Sequence, residues 1–515
     1  MVATPLLVVA AAAPILLILL LMLALQWSAA RAGLVALALA AWLAHALFGF
    51  GDSSPGLGAA RAYTGVAAEG GFLALTILWI LWPALALHRL QQDSGAIETL
   101  RSGLSRLTAE PALQALLVGW LLALFFEGAA GFGTPVALAA PILVGLGFAP
   151  VNAVVLALLG HAAGVSFGAL GTPVLAQVAL TGLDAIDIAW RTALLHALLG
   201  GVLMVFFVRT LAASGHAPGR GWAALAAAGF LLPSLALAAL VGPELATLGG
   251  ALIGGAAFVV ALRRRSGGSR APGLARALAP YAVLVALVVV TRAVPALAHA
   301  LGALTIEWQL FDSYRASMQP LTHPGTLLMT ALLLGALLQR VPMQAVGAAL
   351  GHAARQLVPV TAALLAMLML SRLMLHAGLI GTLEQAAVQS VGAAWPWVAP
   401  AVGALGSFVT GSATASNVLF TTLQAQTATT LGLPVTSIVA AQGFGAAVGN
   451  IVCPHNIVAG AATVGLAGRE AEVLRRTLLP CLLYLALGGA VVAALAAASM
   501  PPAEHGHLPA AETRQ

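Results

Sequence analysis

E-G-A-A-G-F-G-T-P-V, running from Glu127 to Val136, lies inside a long apolar stretch and carries three glycines, a proline and a carboxylate. A membrane-crossing helix avoids all of these. A charged side chain at bilayer depth costs about 3 kcal/mol on insertion scales, and irregular backbone is tolerated there only where it packs in protein or lines a wet cavity. Such a segment is a candidate functional site. A second interrupted segment, T-G-S-A-T-A-S-N from Thr410 to Asn417, lies far downstream. Paired interruptions in corresponding parts of two halves are the sequence signature of a secondary transporter's binding site.

Composition fixes where the chain resides. With 61% hydrophobic and 7% charged residues over 515 positions and a mean hydropathy of +1.01, it departs from soluble globules, in which about a quarter of residues are charged. It reads as an all-α polytopic membrane protein. The first apolar run, Leu6 to Gln26, lacks a basic region before it and exceeds the apolar core of a signal peptide, so it is expected to be a retained span. Cys453 and Cys481 are the two cysteines, and their spacing forms neither a metal motif nor a disulfide framework. No metal or other cofactor is expected.

All 22 basic residues are arginine. Without lysine there is neither a nucleotide-binding P-loop nor a retinal Schiff base, which excludes both as energy sources. The formal charge of +6 comes from arginine-rich loops and reads as a topology signal rather than a nucleic-acid surface. Arginines crowd loops at 89–106, 209–220, 263–276, 340–355 and 469–476, all assigned to the cytoplasm by the positive-inside rule. Full spans then fall near 6–26, 32–50, 66–88, 190–208, 221–241, 245–262, 278–298, 325–340, 357–376 and 477–498.

Two apolar blocks remain. The first, 111–181, leaves the cytoplasm and must reach the outside before the span at 190, so two ordinary crossings would end on the wrong face. A re-entrant hairpin at 111–149, with its tip at Glu127 to Pro135, followed by a broken helix at 151–175, satisfies the constraint. The second block, 396–467, runs the opposite way and takes the same solution: a hairpin at about 396–430 entering from outside, then a broken helix near 433–463. The expected architecture is about 12 crossings plus two hairpins in an inverted-topology repeat, with residues 1–262 as the first half and 263–515 as the second, ending in a short polar tail. His161, Gly164, Gly168 and Pro173 match Gln442, Gly445, Gly449 and Pro454 at one constant offset. The turns Leu146-Gly147-Phe148-Ala149-Pro150 and Leu431-Gly432-Leu433-Pro434 precede them. Shared glycine content alone gives a competing explanation, because small residues favour close helix packing in any membrane protein.

Half-helix N-termini at hairpin tips and breaks present unpaired N–H groups and partial positive charge, which suit a carboxylate. Candidate ligand contacts are therefore Gly131, Gly133, Thr134, Gly171, Thr172, Ser412, Thr414, Ser416, Asn417 and Asn450. Helix capping is the alternative role for the small polar groups among them. Arg372, near the outer end of its span, either binds substrate or snorkels to the interface. Glu127, at a tip, is the leading proton-coupling candidate, with His161 and Glu69 next; a structural histidine and an interfacial glutamate are the alternatives for the last two. His323, His352, His376, His505 and His507 read as peripheral.

These motifs resemble those of the bacterial lactate permease family. The resemblance rests on E-G-A-A-G-F-G-T-P-V-A at 127–137, S-G-A-I-E-T-L-R at 94–101, F-G-A-L-G-T-P-V at 167–174, T-G-S-A-T-A-S-N at 410–417 and G-L-A-G-R-E-A-E at 465–472. It implies an inner-membrane carrier, not an enzyme, taking up L-lactate, D-lactate or glycolate by proton symport. The family pattern often has an acidic residue at Ala413, a lysine at Asn450, glutamine and serine at His455 and Asn456, and a neutral polar residue at Arg372, so substrate preference here is open.

The expected partners are a short 2-hydroxymonocarboxylate, a proton and the lipid bilayer, with no nucleic acid; the sequence leaves the oligomeric state open. A sodium-coupled carboxylate carrier of similar architecture is the alternative within transport. A membrane-embedded enzyme would need an acid/base or metal constellation such as H-E-x-x-H. A channel would be expected to build its pore from identical rings.

Overall fold

A computed structural model describes residues 4–25, 27–51, 58–105, 107–131, 133–266, 273–311, 313–466 and 469–499. Phe132 and the tail histidines His505 and His507 lie outside them, as do Arg106 and Arg270 of the topology signal. The described chain is nearly all helical, and 12 of its helices are long and apolar enough to cross a membrane. Their number matches the expectation but their membership differs. The span expected at 325–340 is a 15-residue helix, Pro324–Leu338, whereas Pro111–Ala129, expected as a hairpin arm, qualifies by length and composition. Proline opens several of these helices, where its missing N–H would be unpaired in any case.

Burial sorts the helices into a shell and an interior. Only 33% of the apolar window is buried in Pro5–Met22 and in Glu470–Ala498, against 94% in Pro111–Ala129, 100% in Pro150–Thr181 and 83% in Val435–Thr463. The interrupted segments thus occupy the centre, where other helices can satisfy their exposed backbone. Across one side run two long helices, Ala59–Asp93 and Met343–His376. Their 35 and 34 residues reach about 50 Å at 1.5 Å per residue, well beyond a 30 Å hydrocarbon layer. They approach closely because Gly70 packs on the Met369 backbone; a Cβ there would lie 3.0 Å from it.

Pro111–Ala129 and Thr134–Gly145 pack together as one helical hairpin, the first of them widened to a π-helix over Leu116–Leu122. Trp395–Thr410 and Ala413–Thr430 form another. Each hairpin leads through a glycine turn into a broken helix. In the first turn Leu146, Gly147 and Phe148 donate backbone N–H groups to Ile142, Val144 and Leu143. Leu431, Gly432 and Leu433 donate to Thr427, Thr429 and Ala428 in the same order.

The breaks themselves differ. The first helix narrows to a 3₁₀ segment over Ala162–Phe167, and Ala169, Leu170 and Gly171 then adopt left-handed φ of 43°, 57° and 78°. Left-handed alanine and leucine each cost about 1–2 kcal/mol. The second stops at Gly449, turns through Asn450 to Cys453 and resumes as Pro454–Thr463. One element departs from the expectation of helices alone: strands Ile306–Leu310 and Tyr314–Met318 form an antiparallel pair in the segment assigned to the outside. Their alternation is too brief to stand out against the surrounding apolar sequence.

Candidate functional site

Both tips and both breaks meet at one narrow central cleft. From the first hairpin come Glu127, Gly131 and Gly133; from the first broken helix, Val165, Gly168, Ala169 and Pro173. The second hairpin supplies Gly411, Ser412, Ala413 and Thr414, and the second broken helix supplies Asn450. Glycine is required at the tips because Gly133 and Gly411 both hold φ near +75°. Each is also contacted by the second broken helix: a Cβ on Gly133 would sit 2.9 Å from Asn456 Oδ1, and one on Gly411 would sit 3.0 Å from His455 Cβ. Helices therefore begin beside the cleft at Thr134, Ala413 and Pro454. Of their first N–H groups, that of Thr134 is taken by the Gly131 carbonyl and Pro135 and Pro454 have none, so an anion there would meet the positive helix ends and the N–H groups that follow.

Among the described residues the acidic group lining the cleft is Glu127, which is 4% exposed. Its Oε1 lies where any side chain on Gly168 would stand, so the glycine admits the carboxyl group to the break. Across from it is His161, whose Nε2 is 4.0 Å from Glu127 Oε2. The His161 Nδ1 lies 2.6 Å from the Ala157 carbonyl oxygen. An imidazole donating from Nδ1 keeps the lone pair of its neutral form on Nε2, facing Glu127. Asn450 flanks the ring and pairs with Asn456 through its own side chain.

At the matching position of the second unit stands Gln442, and its surroundings are neutral and closed. Gln442 Nε2 donates to Ser416 Oγ at 3.1 Å, and Gln424 donates to Gln442 Oε1 at 3.0 Å. Trp395 Nε1 donates to Gln424 Oε1 at 2.9 Å, and Ser416 Oγ donates to the Gly403 carbonyl at 2.7 Å.

The other sequence-derived candidates fall elsewhere. Thr134 opens its helix at the first tip. Thr172 Oγ1 donates to the Ala169 carbonyl at 2.5 Å, Gly171 packs against Pro243, and Asn417 donates to the Pro173 carbonyl at 3.0 Å. With Ser416, these side chains brace the breaks from behind. Arg372 and Glu69 line a larger vestibule on the β-hairpin side. Both are buried, 3.9 Å apart, and Arg372 donates to the Ala179 carbonyl at 3.2 Å rather than snorkelling.

His376 is not peripheral, contrary to the sequence reading: its Nε2 lies 2.7 Å from Glu69 Oε2. The sequence gives no sign of that pairing because the partners are 307 residues apart. The sequence marks His455 and Asn456 only as departures from the family pattern and Gln442 only as a repeat position; their contacts with Gly411, Gly133 and Ser416 follow from tertiary packing alone.

The model of the L-lactate permease family matches residues 7–499. The chain belongs to the L-lactate permease family. An L-lactate permease of Salmonella typhimurium is 30% identical over 465 residues, covering 81% of this chain and 83% of the relative. The L-lactate permease of Escherichia coli is 29% identical over 462 residues, with coverage of 81% and 83%. Glycolate permease GlcA of Escherichia coli is 28% identical over 472 residues, again covering 81% and 83%. As a member of the L-lactate permease family the chain is a multi-pass transporter of the bacterial inner membrane and not an enzyme.

Proposed function

We propose that this permease takes up short 2-hydroxymonocarboxylates such as lactate and glycolate together with a proton, through alternating access around the central cleft. The observation that carries the reading is the convergence of two glycine tips and two broken helices around one buried carboxyl group. The substrate class follows the printed names of the relatives, L-lactate permease and glycolate permease.

In this reading the substrate carboxylate lies against the helix N-termini at Thr134, Ala413 and Pro454, with Ser412, Thr414, Asn450 and the tip backbone at Gly131 and Gly133 as further contacts. A substrate anion and an ionised Glu127 would be two like charges in one dry cleft, where repulsion is weakly screened. Glu127 therefore binds its proton when the anion binds, with His161 Nε2 as acceptor for the carboxylic O–H when the two close from 4.0 Å. Loaded, the cleft crosses with anion and proton together; on the inner side both are released, and the empty cleft resets with Glu127 ionised. Strict coupling follows from that repulsion.

The reading includes the inverted repeat, with the two hairpins entering from opposite faces. The repeated turn geometry and the shared offset of His161 and Gln442 support it. Single cysteines at Leu104 and Val391, in a background lacking Cys453 and Cys481, should be labelled from the cytoplasm and the outside respectively. Labelling of both from one face would remove the inverted arrangement. Substrate and coupling are tested by uptake of labelled L-lactate, glycolate and a dicarboxylate into proteoliposomes under imposed proton or sodium gradients. Accumulation of the two monocarboxylates driven by protons is expected. Accumulation driven by sodium alone would overturn the coupling, and preference for the dicarboxylate would overturn the substrate class.

A further inference from the structure

Between the β-hairpin and the central helices lies a vestibule of ≈ 1060 Å³. Its charged lining is Glu69, Glu244, Glu307, Arg315 and Arg372, with His323 at the rim of the helix it caps. Arg372 stands out because its guanidinium is buried and incompletely used. Nη2 donates to the Ala179 carbonyl at 3.2 Å and to the Leu180 carbonyl at 3.5 Å. Among the described residues Nε has no hydrogen-bond partner, and Nη1 reaches Glu69 Oε1 at 3.9 Å, beyond hydrogen-bond range. Glu69 is meanwhile engaged by His376 at 2.7 Å, and the His376 ring lies against Tyr314 of the β-hairpin with centroids 4.7 Å apart.

A buried guanidinium with N–H groups unpaired retains its desolvation cost without the compensating bonds. The planar fork suits a carboxylate, which would take two of those donors at once. His376 holds Glu69 Oε2 while Oε1 stands 3.9 Å from Nη1, so Glu69 leaves the fork unfilled in this arrangement. The Ala179 and Leu180 carbonyls close the broken helix whose other end, at Ala169 and Pro173, lines the cleft. Six or seven residues separate the two ends, which is about 10 Å of helix.

The geometry points to Arg372 as a second carboxylate site, where the substrate docks in the vestibule before it moves along this helix to the cleft. The inference rests on the monocarboxylate-carrier reading and adds a staging position to it. Glu69 is the internal competitor: its charge weakens docking, and His376 and Tyr314 set how far it stands from Arg372.

The test is equilibrium dialysis of the purified, detergent-solubilised protein against labelled L-lactate. Two bound molecules per chain are expected for the parent and one for Arg372→Gln. Arg372→Lys should weaken the vestibule site about tenfold, because one ammonium does not reproduce the fork. Glu69→Gln should tighten that site about tenfold, an effect in the opposite direction to loss of a structural ion pair. Acetate should displace L-lactate from it and equimolar chloride should not. A single site insensitive to Arg372→Gln, an unchanged or weaker site in Glu69→Gln, or equal displacement by chloride would each overturn the docking site. If Arg372→Gln fails to fold, Glu69→Gln decides. Absence of L-lactate binding by the parent would remove the substrate reading as well, whereas proton-driven uptake with one Arg372-independent site would remove only the docking site.

Discussion

The first hairpin and broken helix place Glu127 4.0 Å from His161 with the imidazole Nε2 open toward it, while the second unit sets Gln442 among Ser416, Gln424 and Trp395 in a closed set of hydrogen bonds. Their tips and turns run alike, although the breaks do not. Each has a glycine tip at φ near +75° and a turn closed by the same three bonds. The difference is chemical: one unit has a group that can gain and lose a proton at the cleft, and the other is neutral throughout its bracing network. In the proton-coupled reading proposed above, the two scaffolds divide the work, with one titrating and the other holding shape. A neutral, fully bonded network is rigid because each broken bond would leave a buried polar atom unpaired.

The shared part of the comparison predicts the largest effect. Gly133→Val and Gly411→Val each force a β-branched residue into a left-handed conformation and push against Asn456 or His455. Both should lower L-lactate uptake by on the order of a hundredfold through misplacement of the tip, with the protein still in the membrane. Loss in only one of the two would break the symmetry of the tips.

Next comes the neutral network. Gln442→Ala leaves Ser416 and Gln424 short of partners in a buried site, which should cost about 1–3 kcal/mol. A lower thermal midpoint in detergent is expected with the number of protons per substrate unchanged. A changed stoichiometry would show that the second unit also titrates. The smallest effect belongs to the turns. Gly147→Ala and Gly432→Ala meet open space but hold φ of 95° and 65°, so each should cost roughly 1 kcal/mol of strain and leave uptake unaltered. A transport defect in either would give the turns a part in the conformational cycle.

Much of this was legible before the structure. Hydropathy located most of the spans, and glycine clustered with a carboxylate, a proline or small polar residues inside apolar sequence pointed to the tips at Gly131, Gly133 and Ser412. What stayed hidden depends on contacts between distant segments. The pairing of Glu69 with His376 and the approach of Asn456 to Gly133 leave no periodic trace in the chain. Thr172, Ser416 and Asn417 show the converse. Their residue types suggested ligand contacts, and packing turns them instead onto the carbonyls of Ala169, Gly403 and Pro173. The strand pair at 306–318 escaped because five-residue strands give too short an alternation to read.

The division of labour between the units rests on Glu127, and Glu127→Gln tests it most directly. The amide keeps the shape of the protonated acid but cannot exchange its proton. Reconstituted Glu127→Gln protein should retain exchange of internal for external L-lactate while losing accumulation under an imposed pH gradient. Accumulation at the parental level by this variant would contradict the account, since the proton would then travel by another group.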